Sequence, residues 1–322
     1  MYTSQPPVTA ATPRTATPPQ LFLGSRRVFA AAWYLTLYTF SITLHLAFIV
    51  GARKLRGWKA NFSFTLLLYL STMALLYLTT HMIGTITTLL YMDWFKYQIL
   101  WILLGAFAYA AIFTVILTDL VIALHRLIYT VWPLIGGNHI SVLSAKVTLL
   151  ALGVIFVLFV VLLNTNLVGV RWVGSLMAFD AIRTRSVRLF QMINKVFNYL
   201  NGIVNSITYA MLFFVLVKKK MLSFSRNHEL RVTLQVSIMM VEEVGFFVYW
   251  EFFPIHAQFG ADIDIVIAES ALMLFLDVLI LPYLVLNRNI HSELKRVLGL
   301  QKKNTTTLLW LRSRVDVVTR AP

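Results

Sequence analysis

Seven runs of apolar residues, separated by short and mostly basic segments, constrain this chain more than any other feature. They fall at about 28–51, 62–92, 98–124, 146–168, 192–217, 232–253 and 265–286. A helix of roughly 20 apolar residues crosses the hydrocarbon core of a bilayer. Such a helix satisfies its backbone polar groups internally, which is what allows it to stay in lipid. Only 13% of the residues are charged and the mean hydropathy is +0.76. A soluble domain carries about 25% charged residues, so this chain lacks the polar surface to cover a globule in water. The expected fold is all-α, a seven-transmembrane helix bundle over residues 28–286.

The flanks differ in kind. Residues 1–27 hold five of the nine prolines amid threonines, and read as a disordered extracellular tail. No basic segment followed by an apolar core marks a signal peptide there, so the first span is expected to act as the targeting signal. Residues 287–300 place Ile290, Leu294, Val297 and Leu298 on one stripe, with Arg288, Lys295 and Arg296 off it. This predicts an amphipathic helix on the inner leaflet. Residues 301–322 form a basic cytoplasmic tail. With the N-terminus outside, 19 of the 28 Lys and Arg fall on the inner side, in accord with the positive-inside rule. That distribution accounts for the isoelectric point near 10.1 without nucleic acid, and implies contact with anionic membrane lipids. There is no Cys, so disulfides, thiolate metal sites and palmitoylation are excluded. Surfaces outside the membrane must hold by packing alone.

Ionisable residues inside the runs are costly, about 2.5–3.5 kcal/mol each near the bilayer centre, and usually face a bundle interior or a cavity. Asp119, Glu242, Glu243, Glu269 and Asp277 are of this kind. Asp119 and Asp277 read as polar contacts between helices. Glu243 and Glu269 are candidates for a ligand counter-charge, with packing networks as the competing reading. Asn194, Asn198, Asn201 and Asn205 follow spacings of 4, 3 and 4, which is one helical stripe. The upper pair, Asn194 and Asn198, is the candidate wall of a ligand pocket. The lower pair suits bonds between helices, each worth about 0.6 kcal/mol in membrane proteins. Tyr97, Trp101 and Trp250 stand near the outer ends of their runs, where aromatics either form interface belts or line a cavity.

At the inner end of the third run stands His125-Arg126, with Pro133 seven residues after the Arg. A lone Arg there reads as an anchor that reaches the lipid head groups. The Arg-to-Pro spacing resembles the end of helix three in rhodopsin-like G-protein-coupled receptors, with His125 where those have an acid. Glu229-Leu230-Arg231-Val232-Thr233-Leu234-Gln235, opening the sixth run, resembles the start of helix six in nematode serpentine chemoreceptors. Pro282-Tyr283-Leu284-Val285-Leu286-Asn287, ending the seventh, is similar to their degenerate Asn-Pro-x-x-Tyr region. The nearest likeness is to the class gamma superfamily, with classes V and T inside it. The departures from rhodopsin-like receptors are the missing Asn in span one, the missing Asp in span two, the missing Trp in span four, and Leu281 in place of the Asn before Pro282.

The resemblance implies a chemosensory receptor of the plasma membrane, with its N-terminus outside. A small-molecule ligand would bind in the outer half of the bundle. A heterotrimeric G protein would bind inside, when helix six moves from helix three. Arg126, Pro133, Glu229 and Arg231 are the expected coupling residues, with a resting pair between Arg126 and Glu229. No His-Glu-x-x-His, Gly-rich phosphate loop or Ser-His-Asp set is evident, so neither enzymatic activity nor a metal or other cofactor is expected. The sequons at Asn61 and Asn304 lie on the expected inner side and are expected to be unused. The alternative function is a transporter, channel or membrane-embedded enzyme using the buried carboxylates.

Overall fold

The computed structural model describes residues 22–55, 62–92, 96–131, 141–165, 167–182, 185–218, 227–252 and 261–297. Most of the 1–27 tail, Pro133, the end of the predicted amphipathic segment and the 301–322 tail lie outside the described residues. Helices α1 (Gly24–Lys54), α2 (Phe62–Leu89), α3 (Gln98–Val131) and α4 (Ser141–Asn164) come first. A hairpin of β1 (Val170–Val173) and β2 (Ala178–Ala181) follows. Then come α5 (Val187–Tyr199), a π-helical turn (Leu200–Asn205), α6 (Ser206–Lys218), α7 (Asn227–Phe252), α8 (Ala261–Leu286) and α9 (Arg288–Val297). The α5, π and α6 segments run on as one helix.

Among the described residues, six helical segments are long and apolar enough to cross a membrane: Gly24–Lys54, Phe62–Leu89, Gln98–Val131, Leu143–Asn164, Val187–Leu216 and Asp262–Leu286. The side chains they turn outward are apolar too. On α4, Leu143, Val147, Leu150, Val154, Leu158 and Val161 are all exposed. A water-soluble monomer rarely shows so continuous an apolar face. The chain is therefore a multi-pass membrane protein, and this face is the one lipid covers.

Hydroxyls inside the helices are satisfied locally. Thr39, Thr72, Thr114 and Thr118 each donate to the carbonyl four residues back, at 2.7–2.8 Å. This bond lets a polar residue sit in lipid or core without a partner on another helix. The packing centres on α3, which touches α2, α4, β1, the π turn and α6. Its Ala-rich segment, Ala106 to Ala111, leaves room for that many neighbours.

Three differences from the sequence expectations have physical causes. First, α3 continues beyond Leu124 to Val131, because Leu127, Ile128 and Val131 keep the run apolar past Arg126. Arg126 thus sits inside the helix. Second, the segment before α5 carries the unexpected β-hairpin, with Trp172 opposite Phe179. Trp172 donates from Nε1 to Thr88 Oγ1 at 2.8 Å, and its ring lies over Gly84, where a Cβ would overlap it. Gly105 likewise lets the Val170 carbonyl lie against α3. The hairpin is clamped by packing, as a chain without Cys requires. Third, α9 turns part of its stripe toward the bundle. Ile290 is fully buried and meets Gly51 of α1, with Leu294 beside it. Asn287 starts this helix by accepting from the Asn289 and Ile290 amides at 3.0 and 3.4 Å.

Candidate functional site

Beneath the hairpin lies a chamber of about 510 Å³, enclosed by α2, α3, β2, α5, the π turn, α7 and α8. Binding sites for small molecules have volumes of about 300–1,000 Å³. Its roof is Phe179 of β2, whose ring meets His81 edge-on at 4.7 Å and Trp172 at 5.0 Å. The α3 wall is Tyr109, Ile112, Phe113 and Ile116, and α7 contributes Phe246, Trp250 and Glu251. Phe113 stacks on Phe197 of α5 at 4.3 Å, and Phe246 stacks on Phe275 of α8 at 4.4 Å. These rings hold the walls rigid.

The polar groups of the chamber fall in two sets. On the α5 side, Glu251 accepts from the Tyr199 hydroxyl at 2.8 Å and from the Asn198 amide at 3.4 Å. On the α8 side, Glu269 has its Oε2 3.6 Å from His81 Nδ1 and without a hydrogen bond. Asn201, also in the chamber wall, has its Oδ1 buried without a partner.

Deeper in the bundle some of the polar groups bond one another, while Glu243 Oε2 and Asn205 Oδ1 stay without a partner. Asn205, fully buried in the π turn, donates to Asp119 Oδ2 of α3 at 2.7 Å and reaches Glu243 Oε1 of α7 at 3.4 Å. Tyr209 donates to Asp119 Oδ1 at 3.3 Å. Three helical segments thus meet on one amide. The π turn makes this possible by re-aiming side chains along α5–α6, and such turns occur frequently at functional sites. Gly202, in the same turn, lets Phe247 of α7 approach so closely that a Cβ would overlap its ring. Separately, Asp277 of α8 accepts from Ser41 at 2.8 Å and lies 3.7 Å from His45 Nε2, tying α8 to α1.

At the far end, Arg126 is clasped by α7 and α8. Its Nη1 lies 3.9 Å from Met239 Sδ, and its guanidinium carbon 4.9 Å from the Tyr283 ring centre. Tyr283 also directs its hydroxyl at Met239 Sδ, 3.9 Å away. Among the described residues no carboxylate lies within ion-pair distance of Arg126. Glu229 and Arg231 are in the first turns of α7, and their side chains lie outside the described residues. A cation over a ring is worth about 0.5–2 kcal/mol. Breaking a buried Arg–carboxylate pair costs about 3–5 kcal/mol. The observed clasp is the softer of the two.

The candidate residues therefore separate. Asn194, Asn198, Trp250 and Glu269 line the chamber. Asn201, assigned from sequence to helix–helix bonding, lines it as well. Glu243 does not, and belongs to the Asp119–Asn205 cluster below. Tyr97 and Trp101 are not chamber residues either. The hairpin crosses α3 at Gly105, and the chamber takes α3 only from Tyr109 onward. Trp101 is buried in the packing, and Tyr97 carries the Lys96 ammonium 5.4 Å over its ring. Sequence reasoning missed His81, Tyr109, Phe179, Met239 and Glu251. Only Glu251 and His81 carried a usable signal, as polar groups close to a run's end or within one.

No protein-family model matches the chain, and no curated protein shows significant similarity to it.

Proposed function

We propose that the chain is a seven-helix receptor of the plasma membrane, with α7 as the further span, that binds a small molecule in the chamber and signals to a heterotrimeric G protein. One observation supports this reading most. A single face of α7, with Met239, Glu243, Phe246 and Trp250 at spacings of 4, 3 and 4, touches the Arg126 clasp, the buried cluster and the chamber in turn. A rigid helix with those three contacts couples events in the chamber to Arg126. The hairpin end is then the outer side, and the Arg126 end faces the cytoplasm. The resemblance of the Arg126–Pro133, Glu229–Gln235 and Pro282–Asn287 segments to nematode serpentine chemoreceptors points the same way.

In the resting state α7 stays against α3, held by Met239 and Tyr283 and by an added pair of Glu229 with Arg126. A ligand shifts this balance only by its differential affinity for the two states. Release of Arg126 opens a cavity for the G protein, and α9 lies under α1 at the inner leaflet. The test is a small-molecule screen in cells that express the chain with a promiscuous G protein. A response that vanishes in Phe246→Ala and Trp250→Ala, with normal surface levels, is the expected result. Glu229→Arg raises basal signalling, and unchanged basal signalling would remove Glu229 from the resting restraint.

The interior acids favour a second reading. Glu269, Glu243 and Asp119 run from the chamber into the core, an order that suits proton movement in a transporter. Solute uptake into proteoliposomes that follows an imposed pH gradient would establish it.

A further inference from the structure

We propose that the ligand of the chamber is a small organic amine, held by Glu269 through its cationic nitrogen and enclosed by aromatic rings. The inference rests on the chamber being a ligand site and adds the chemical class.

The chamber lacks a donor for Glu269. Its Oε2 is buried without a hydrogen bond, and His81 Nδ1, 3.6 Å from it, also faces the Tyr38 hydroxyl at 3.5 Å. The one Lys of the chamber wall, Lys195, sits across from it, with its ammonium 5.5 Å over the Tyr199 ring. Glu251 is already engaged by Tyr199 and Asn198. Asn201 Oδ1 is a second buried acceptor without a donor. Glu269 Oε2 and Asn201 Oδ1 are thus two buried acceptors that the described side chains of the wall leave without a donor.

The rings select the same chemistry. Tyr77, Tyr109, Phe179 and Trp250 line the space around these acceptors. Aromatic faces attract a cation, more strongly when it is out of water. A charge-assisted bond from N⁺–H to a carboxylate is about twice as strong as a neutral one. An anionic ligand would meet two carboxyl groups and several electron-rich faces, against the single ammonium of Lys195. A neutral apolar ligand would leave Glu269 and Asn201 as they are. An ammonium with an apolar body answers both acceptors and rings. The volume of about 510 Å³ suits a compact molecule rather than a peptide.

The test uses the full chain in lipid nanodiscs, with 2-phenylethylamine as the probe and 2-phenylethanol and phenylacetate as matched neutral and anionic controls. Binding is read by calorimetry, independently of any G protein. The expected result is that the amine binds at least about tenfold tighter than either control, and that Glu269→Gln removes this preference. Glu242→Gln, an acid of the same bundle outside the chamber, keeps it. Should Glu269→Gln fail to fold, Glu269→Asp shifts the carboxyl back and weakens the amine alone. Equal binding of the three probes, tighter binding of phenylacetate or no binding by any of them overturns the inference. Amine binding without G-protein signalling would instead sink the receptor reading and leave the amine site standing. Signalling by a ligand without an amine would do the reverse.

Discussion

Two groups of buried acids lie along the bundle, and they are solved differently. In the deep cluster, Asp119 and Glu243 share Asn205, and Asp119 also takes the Tyr209 hydroxyl. In the chamber wall, Glu269 is buried with no hydrogen bond at Oε2. Both groups bear the cost of carrying a carboxyl group into the membrane interior. The first recovers part of it within the protein, by bonds that join α3, the π turn and α7, although Glu243 Oε2 and Asn205 Oδ1 stay without one. The second leaves it unrecovered until something enters. Acids bonded to one another's neighbours in the packing are architecture that can also switch, whereas an unpartnered acid oxygen at the wall of a cavity marks a candidate site.

Replacing the shared amide breaks this comparison most severely. Asn205→Leu removes the amide that Asp119 and Glu243 share, leaves Asp119 with Tyr209 as its remaining donor from α6, and should lower stability by about 3 kcal/mol. Thermal unfolding in detergent measures this. A loss below about 0.5 kcal/mol would mean that the cluster does not hold the helices. Next in size is Gly202→Val. Its side chain would strike Phe247, and should cost about 1–3 kcal/mol while pushing α7 from the π turn. The chamber side should give the smallest effect. Asn194 is exposed at the chamber wall, so Asn194→Ala should leave stability within about 0.5 kcal/mol and weaken only ligand binding. A large loss of stability there would erase the distinction between site and architecture.

Much of the helical frame is legible in the sequence, because apolar runs of this length have one stable form in lipid. The Asn stripe was legible too, as a stripe. Periodicity tells which residues share a face, but not which faces meet. That is why Asn194 and Asn198 could be placed at a cavity while His81, Tyr109 and Glu251, which complete it from other helices, could not. The hairpin was hidden by its brevity. Two strands of four residues, joined by Gly174-Ser175-Leu176-Met177, look like any loop until Trp172 finds Gly84 and Thr88. Arg126 misled through its charge. A charge predicts a span end, whereas the helix runs on to Val131, and the partners seen among the described residues are a sulfur and a ring, with the Glu229 side chain outside them.

That soft clasp is what a transmitting end needs. Met239 and Tyr283 hold Arg126 with little energy, so a modest change at the other end of α7 can release it. The account therefore stands on nucleotide exchange by a G protein in the presence of the purified chain in proteoliposomes, with solute uptake followed in the same vesicles. It predicts exchange above the rate of empty vesicles, raised by Glu229→Arg and abolished by Arg126→Ala, without solute uptake. Exchange indifferent to Arg126, or uptake of solute with no exchange on any G-protein class, would contradict it.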